Sequence, residues 1–595
     1  QFADAIEKAL HDADVIVAIW SEAAARSAWV RDEAAAGRDS GRLVPVTIDG
    51  SPPPLGFRQY QTIDLSKGKV NARSLAPLEQ AIAAKASGPA QPAAHARPRK
   101  PAIVSSGRWA AAAVALVLVI AGGLFFSGTL GWGASGGLSA KVKLGQFQVI
   151  SGVPGEVSQA LNEELLAAFG SENLVSVVTA DASAPFVLDG SVRKLDDALR
   201  FTVNLKNVET GAVVWTNAYD RLAADTLAPR QVAVAASQVV RCGLWGASSY
   251  RRKMPDQGLS LYLQFCGDYW GGAAEDEQIL EAARRVTAAV PDFSFGWSAL
   301  ALAAVPLSQS ASSGEAAELR TEAWAAAERA GNLDALNPEG YMAMAGLLPL
   351  NKFAEREALL KKAIGVRPTE CGCERQFYGD FLTSVGRMEE AVEQYERARA
   401  MIPLAPFSNV RLAHALHVVG RHDEAERIIT EMMQMWPDAA TLRLLKVKSA
   451  YWTGRYADAL PLLDAPDLHL TSEQRRLLAA TFQALASNDP ARKAAVVTEL
   501  ESMAKNPRRN DRLIVAALAA LGADGAALDA SRRLINDRGH ALAAVLFEPN
   551  LSDAWRSPQY EQLVTRVGLT DYWKSTSNIP DICRLEEKPG FCTLA

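Results

Sequence analysis

Six cysteines, three clustered histidines and one tryptophan–glutamate pair are the residues whose types and spacing could do chemistry in this 595-residue chain. The cysteines stand at 242, 266, 371, 373, 583 and 592. An even count confined to one part of the chain fits disulfides made in an oxidising compartment, with Cys242–Cys266 and Cys583–Cys592 as the expected pairs. Cys371-Gly-Cys373 is either a local bridge or two free thiols, and the spacings lack the paired CxxC frame of a zinc site. His414, His417 and His422 lie beside Asp423 and Glu424. Their H-x-x-H-x-x-x-x-H spacing is no zinc pattern, so a surface or packing role is expected and no metal. Trp29 and Glu33, four residues apart, fall on one helix face, where an aromatic surface and a carboxylate can meet one ligand. Asp189, Arg193, Asp196, Asp197 and Arg200 read as the solvated face and turn of a hairpin.

The elements that must position these residues form several domains, because a chain of this length exceeds a single core. A net charge of −5 offers no polycation for gripping nucleic acid, and 49% apolar with 22% charged residues is ordinary globular composition. The chain opens at Gln1 directly on a helical pattern, as expected of a piece of a longer protein.

Residues 109–140 carry no charge over 32 positions, and their centre is almost purely apolar. That exceeds the ~20 residues a helix needs to cross a bilayer, and Trp109 and Trp132 sit where indoles favour the headgroups. A transmembrane helix over 108–132 is expected. Arg97, Arg99, Lys100 and Arg108 precede it, which places the N-terminal part in the cytoplasm and the rest outside: a single-pass inner-membrane protein with a periplasmic C-terminal region. The Pro, Ala and basic stretch 87–107 is its linker.

Within 1–86, helical patterns alternate with apolar runs at 15–19, 43–48 and 61–65, which indicates a parallel α/β sheet. The order ADVIVAIWS, SAWVRDE, GRLVPVTIDG and PPLGFRQYQTIDL resembles the second half of a bacterial TIR domain, a flavodoxin-like fold. Members of that family that cleave NAD at the nicotinamide–ribose bond use a glutamate four residues after a tryptophan, and Trp29 and Glu33 match. The resemblance thus implies Glu33 as the catalytic carboxylate, steadying an oxocarbenium-like state, and Trp29 in the surface that holds NAD as substrate, with no resident cofactor. No glycine-rich phosphate loop is present, so NAD would be held in another way. The W-x-x-x-E pattern also fits TIR domains that only self-assemble, so enzyme and non-enzymatic adaptor both stay open.

Residues 141–245 alternate strand and helix patterns, and FVLDGSVRKLDDALRFTVNLKNVETGAVVWTNAYDR resembles the N-terminal domain of TolB and its relatives. Beyond them, Gly386-Arg387, Gly420-Arg421 and Gly454-Arg455 recur every 34 residues, with Ala391, Ala425 and Ala459 at one offset and Pro403 and Pro437 at another. That is the tetratricopeptide (TPR) signature, expected over 257–465 as an all-α superhelix whose concave face commonly binds peptides or proteins. Residues 466–595 are expected to be a helical cap, resembling the closing segment of TolB-like repeat proteins. The chain as a whole reads as a membrane-embedded signalling protein: a cytoplasmic TIR part that self-associates and cleaves NAD, or only self-associates, and an exported TPR region that binds a protein or peptide.

Overall fold

The computed structural model describes parts of residues 13–82 and, further on, residues 140–593 apart from 151, 170–173, 179–182, 272–273, 311–312, 469, 488 and 506–511. The chain divides into two compact units, Gln1–Ala134 and Ser135–Ala595. Among the described residues no helix is long and apolar enough to cross a membrane. The span expected at 108–132 lies outside them.

In the first unit, β1 (Ile16–Trp20), β2 (Leu43–Thr47) and β3 (Ile63–Asp64) form a parallel sheet in the order β1-β2-β3, with Ile16 opposite Leu43 and Val46 opposite Ile63. Every residue of β2 is buried, as a parallel sheet's central strand should be. Parallel neighbours need long crossovers, and Ala34 from the first crossover is buried with Ile16, Ala18, Trp20, Leu43 and Phe57.

The second unit opens on a five-stranded sheet of order β5-β4-β6-β7-β8, built from β4 (Lys141–Val149), β5 (Ser176–Val178), β6 (Phe186–Leu195), β7 (Ala198–Asn207) and β8 (Val213–Leu222). β4 runs parallel to β5 and β6, whereas β6, β7 and β8 are antiparallel. Along β7 the alternation is strict: Leu199, Phe201, Val203 and Leu205 are buried, while Arg200 and Lys206 on the other face pair with Asp220 and Asp189. The β6–β7 turn is Asp196-Asp197, with Asp196 left-handed at φ 50°, a conformation aspartate tolerates. Helices α1 (Gly155–Phe169) and α2 (Ala228–Ser248) pack with this sheet. α2 is buried nearly all round, because the helical region closes over it from the other side.

That helical region is a run of antiparallel hairpins. After α3 (Asp256–Gly271) and α4 (Asp276–Ala289) come α5/α6 (Ser294–Ser310, Ser313–Leu333), α7/α8 (Pro338–Leu347, Phe353–Val366), α9/α10 (Cys373–Ser384, Met388–Met401), α11/α12 (Pro406–Val418, His422–Met435) and α13/α14 (Ala440–Thr453, Tyr456–Ala459). Gly386, Gly420 and Gly454 occupy their turns at φ 81°, 83° and 71°, which a Cβ would strain. Ala391, Ala425 and Ala459 are buried where paired helices meet.

The pattern continues further than the sequence period indicated. After α15 (Ser472–Ser487) and α16 (Pro490–Ala504), α17 (Arg512–Ala520) and α18 (Asp524–Arg538) turn at Gly522, φ 75°. Ala523 N donates to Leu518 O at 3.0 Å, the same six-to-one closure as Arg387 N to Leu382 O and Arg421 N to Leu416 O. Gly522 stands 68 residues after Gly454, two full periods, and Ala527 holds the buried alanine offset.

From there the chain returns over the first helices of the hairpins. The 3₁₀ segments His540–Phe547 and Pro549–Leu551 pack on α9 and α13, and α18 touches α5. α19 (Pro558–Val567) and α20 (Leu569–Thr576) follow, with α20 against α8. Phe547, Tyr560, Tyr572, Trp573 and Phe591 are all buried in this segment. At about 1.5–3 kcal/mol for each large side chain fully buried, five such rings are on the scale of the ~5–15 kcal/mol that holds a typical domain folded.

All six cysteines are paired: Cys242–Cys266 joins α2 to α3, Cys371–Cys373 bridges the start of α9, and Cys583–Cys592 closes the terminal segment.

Gly190 in β6 offers a direct test of the sheet's packing. A Cβ there would stand 1.8 Å from Thr202 O and 2.7 Å from the Phe147 ring. Gly190→Ala should destabilise the second unit by about 2 kcal/mol or more, seen as a lower thermal midpoint by circular dichroism. An unchanged midpoint would contradict this close approach.

Candidate functional site

Parallel sheets bind ligands beyond the carboxyl ends of their strands. At the carboxyl end of β1 the fully buried Trp20 lies 5.1 Å from Phe57; Arg38, 5.3 Å over Phe57, follows Gly37, which packs on Ile16 at the strand's other end. Asp49 after β2 accepts from Ser51 N at 2.9 Å, and Asp64 of β3 accepts from Ser66 N at 2.9 Å. Both carboxylates therefore shape their own turns. Trp29 and Glu33, the residues expected to hold and cleave NAD, lie outside the described residues; Ala34, directly after Glu33, is buried against this core.

In the second unit the polar side chains gather where the returning segment meets the hairpins. Lys448 of α13 forms a buried ion pair with Glu548, and its ammonium lies 3.1 Å from His414 Nε2 and 5.3 Å over Trp452. Burial would raise the Glu548 pKa, but the Lys448 charge and its hydrogen bond, with His414 nearby, outweigh it and hold the carboxyl at about 2. Burial, helped by Lys448, pushes His414 down to about 4, so it stays neutral near pH 7. Alongside, Arg411 donates to both oxygens of Asp380 at 2.9 and 3.0 Å, and Tyr395 donates to Asp380 at 2.7 Å.

The other two histidines meet one turn of helix away. His417 is fully buried, its Nδ1 3.1 Å from His422 Nδ1 and its Nε2 3.4 Å from Glu426 Oε1. His417, then Lys446, hold Glu426 down to about 2 against the effect of burial. His414 and His417 thus pack on one ring, 5.6 and 5.2 Å from Trp452, the first reaching Lys448 and the second Glu426, while His422 is partly exposed beside His417. Among the described residues no group of three or more His, Cys, Asp or Glu side chains is arranged to hold a metal.

A third cluster, which sequence reasoning missed, lies between α5 and α7. Ser298 donates to Glu339 Oε2 at 2.6 Å, and Asn337 Nδ2 donates to Ser298 and Ser294 at 3.1 and 2.9 Å. Burial, with the nearby Glu370 charge, raises Glu339 to about 8, and burial raises Glu370 to about 7. No spacing rule joins Ser298 to Glu339, 41 residues on. A furrow of about 370 Å³ between α6 and α7 is lined by Ala327, Glu328, Asn337, Gly340, Tyr341 and Met344. Its Glu328 is engaged by Trp324 Nε1 at 2.9 Å.

The fold and these clusters define a helical-repeat protein with two α/β portions, one inside the repeat-bearing unit and one in a unit of its own. Residues 1–82 match the TIR domain family, so the chain carries a TIR domain at its N-terminus. No curated protein matches the chain. Among solved structures, a thermophilic TPR protein of Thermus thermophilus is 21% identical at a TM-score of 0.24, covering 31% of this chain and 91% of that one. Yeast Tom70 is 14% identical at a TM-score of 0.29, covering 55% of this chain and 67% of that one. The glycine turns and alanine contacts described above, rather than those likenesses, define the hairpins as TPR-like.

Glu339 gives this unit a pH dependence of known sign. Its folded pKa of about 8 lies above the ordinary 4.5, so between those values the folded chain binds more protons than the unfolded one. Its contribution to stability is full below about 4.5 and is lost as pH rises through about 8. Glu339→Gln should flatten the fall in thermal midpoint between about pH 5 and pH 8. An identical slope in the variant would remove Glu339 as its source.

Proposed function

We propose that the chain is a single-pass membrane signalling protein, with a cytoplasmic TIR domain that self-associates and cleaves NAD, and an exported repeat-bearing unit that binds a protein. The observation that carries the signalling half is the TIR match over residues 1–82. The exported half is supported by three disulfides, all in the second unit, which suit an oxidising compartment. Between the TIR match and the first cysteine the chain carries the uncharged stretch 109–140, with the basic residues of 97–108 on its N-terminal side. The sheet of β4 to β8 corresponds in this reading to the TolB-like module. Its mixed sheet, backed by α1 and α2, is compatible with that resemblance.

In the TIR domain the chemistry rests on Glu33. A carboxylate beside the nicotinamide riboside stabilises the positive charge that builds on the ribose as the N-glycosidic bond breaks, and Trp29 on the same helix face offers a stacking surface. NAD is the substrate, and the reaction needs water as its only co-reactant. Binding on the outer side would raise the local concentration of TIR domains on the inner side, which is the simplest coupling this domain order allows.

The test is NAD turnover by the full-length protein in membranes. Wild type should release nicotinamide, and Glu33→Ala should lower the rate by about 10²-fold or more. Equal turnover by both proteins would leave Glu33 outside the mechanism, and turnover by neither would favour an adaptor that only self-associates. A membrane-impermeant label that reaches Trp29 and Lys588 from the same side of the bilayer would defeat the single-pass arrangement.

A further inference from the structure

The face lined by the first helices of the hairpins is where a repeat array of this kind ordinarily receives a partner segment. Here α9 and α13 present that face to residues 540–551, and α5 presents it to α18. Residues 540–551 lie on that face, and the later part of the segment packs beside it, on α8 and the α9–α10 turn. Lys448 holds the Glu548 carboxylate in a buried ion pair, and Phe547 packs so near the α9–α10 turn that a Cβ on Gly386 would stand 2.6 Å from its ring. Trp573 Nε1 donates to Val385 O at 3.1 Å, and Asp581 N donates to Gly386 O at 2.9 Å. Tyr572 donates to Glu357 at 2.9 Å, where Arg387 also pairs at 2.7 Å.

We infer that this face has its ligand already: residues 540–551 of the same chain occupy it permanently, fastened by residues 558–593 beside it, so a partner protein of the repeat-bearing unit is met on other surfaces. Permanence follows from how the segment is built. Phe547 and Trp573 are each at most 2% exposed, the one against Gly386 and the other bonded to Val385 O, so lifting the segment would uncover both rings together with the Lys448 and Glu548 charges. A detachable strap would instead present few buried rings and mostly exposed hydrogen bonds. The inference depends on the proposed function only for there being a partner at all, and neither readout below involves NAD or membrane topology.

Hydrogen exchange on the full-length protein separates the two cases. Amides of α19 and α20 should exchange within roughly threefold of those in α9 and α11, because one cooperative opening exposes all four. Exchange about 100-fold faster in α19 and α20 than in α9 and α11 would mean that the segment opens by itself, and would overturn the inference. As a second measurement, a fluorescent synthetic peptide with the sequence of residues 540–556 is titrated with the full-length protein. No saturable binding is expected, and stoichiometric binding at micromolar protein would show an available face and overturn it.

Discussion

A buried guanidinium joins the two architectures of the second unit. Arg241, on α2, is 1% exposed and donates to three backbone carbonyls: Glu370 O at 2.7 Å, Met401 O at 3.2 Å and Ala168 O at 3.5 Å. Ala168 and Met401 lie at the carboxyl ends of α1 and α10, where a cation is favoured by the exposed carbonyls and the helix dipole. Burying a charge is costly unless its donors are satisfied. The sheet's helix and the hairpins must therefore meet where these carbonyls converge. Arg356 repeats the device within the array, fully buried and donating to Ala345, Leu348 and Pro349 carbonyls at the end of α7. Burial lowers it to about 9.

What could be read from the sequence was what is local. The Gly-Arg turns, their 34-residue spacing and the alanines five positions on each specify a hairpin within a few residues, and the structure places hairpins there. The hairpin at Gly522 carries the same marks, Gly522 and Ala527, but α15 and α16 interrupt the count before it, so a search for consecutive periods stops at Gly454. In the TIR part, apolar runs gave the strands because a parallel sheet buries both faces of its central strand.

The pairings that assemble the second unit were not legible, because they join residues far apart with no shared pattern. Lys448 and Glu548 are 100 residues apart, and Tyr572 and Glu357 are 215 apart. Each was an ordinary polar residue in its own helix or loop until the chain's return made it interior. The histidines show the reverse. A cluster in sequence, 414, 417 and 422, takes different partners in space, since His414 turns to Lys448 while His417 meets His422 and Glu426.

The three turn glycines look interchangeable in the sequence, but their surroundings differ. Around Gly420 and Gly454 nothing lies within 4 Å of where a methyl would go, whereas Gly386 meets Phe547 and Pro580 there. The first two answer only to backbone conformation, so an asparagine could serve in either. Gly386 answers to a neighbour as well. The repeats are therefore not modular parts: transplanting a consensus unit would be tolerated at the second and third turns and rejected at the first, where the array has been individualised to fit its own tail.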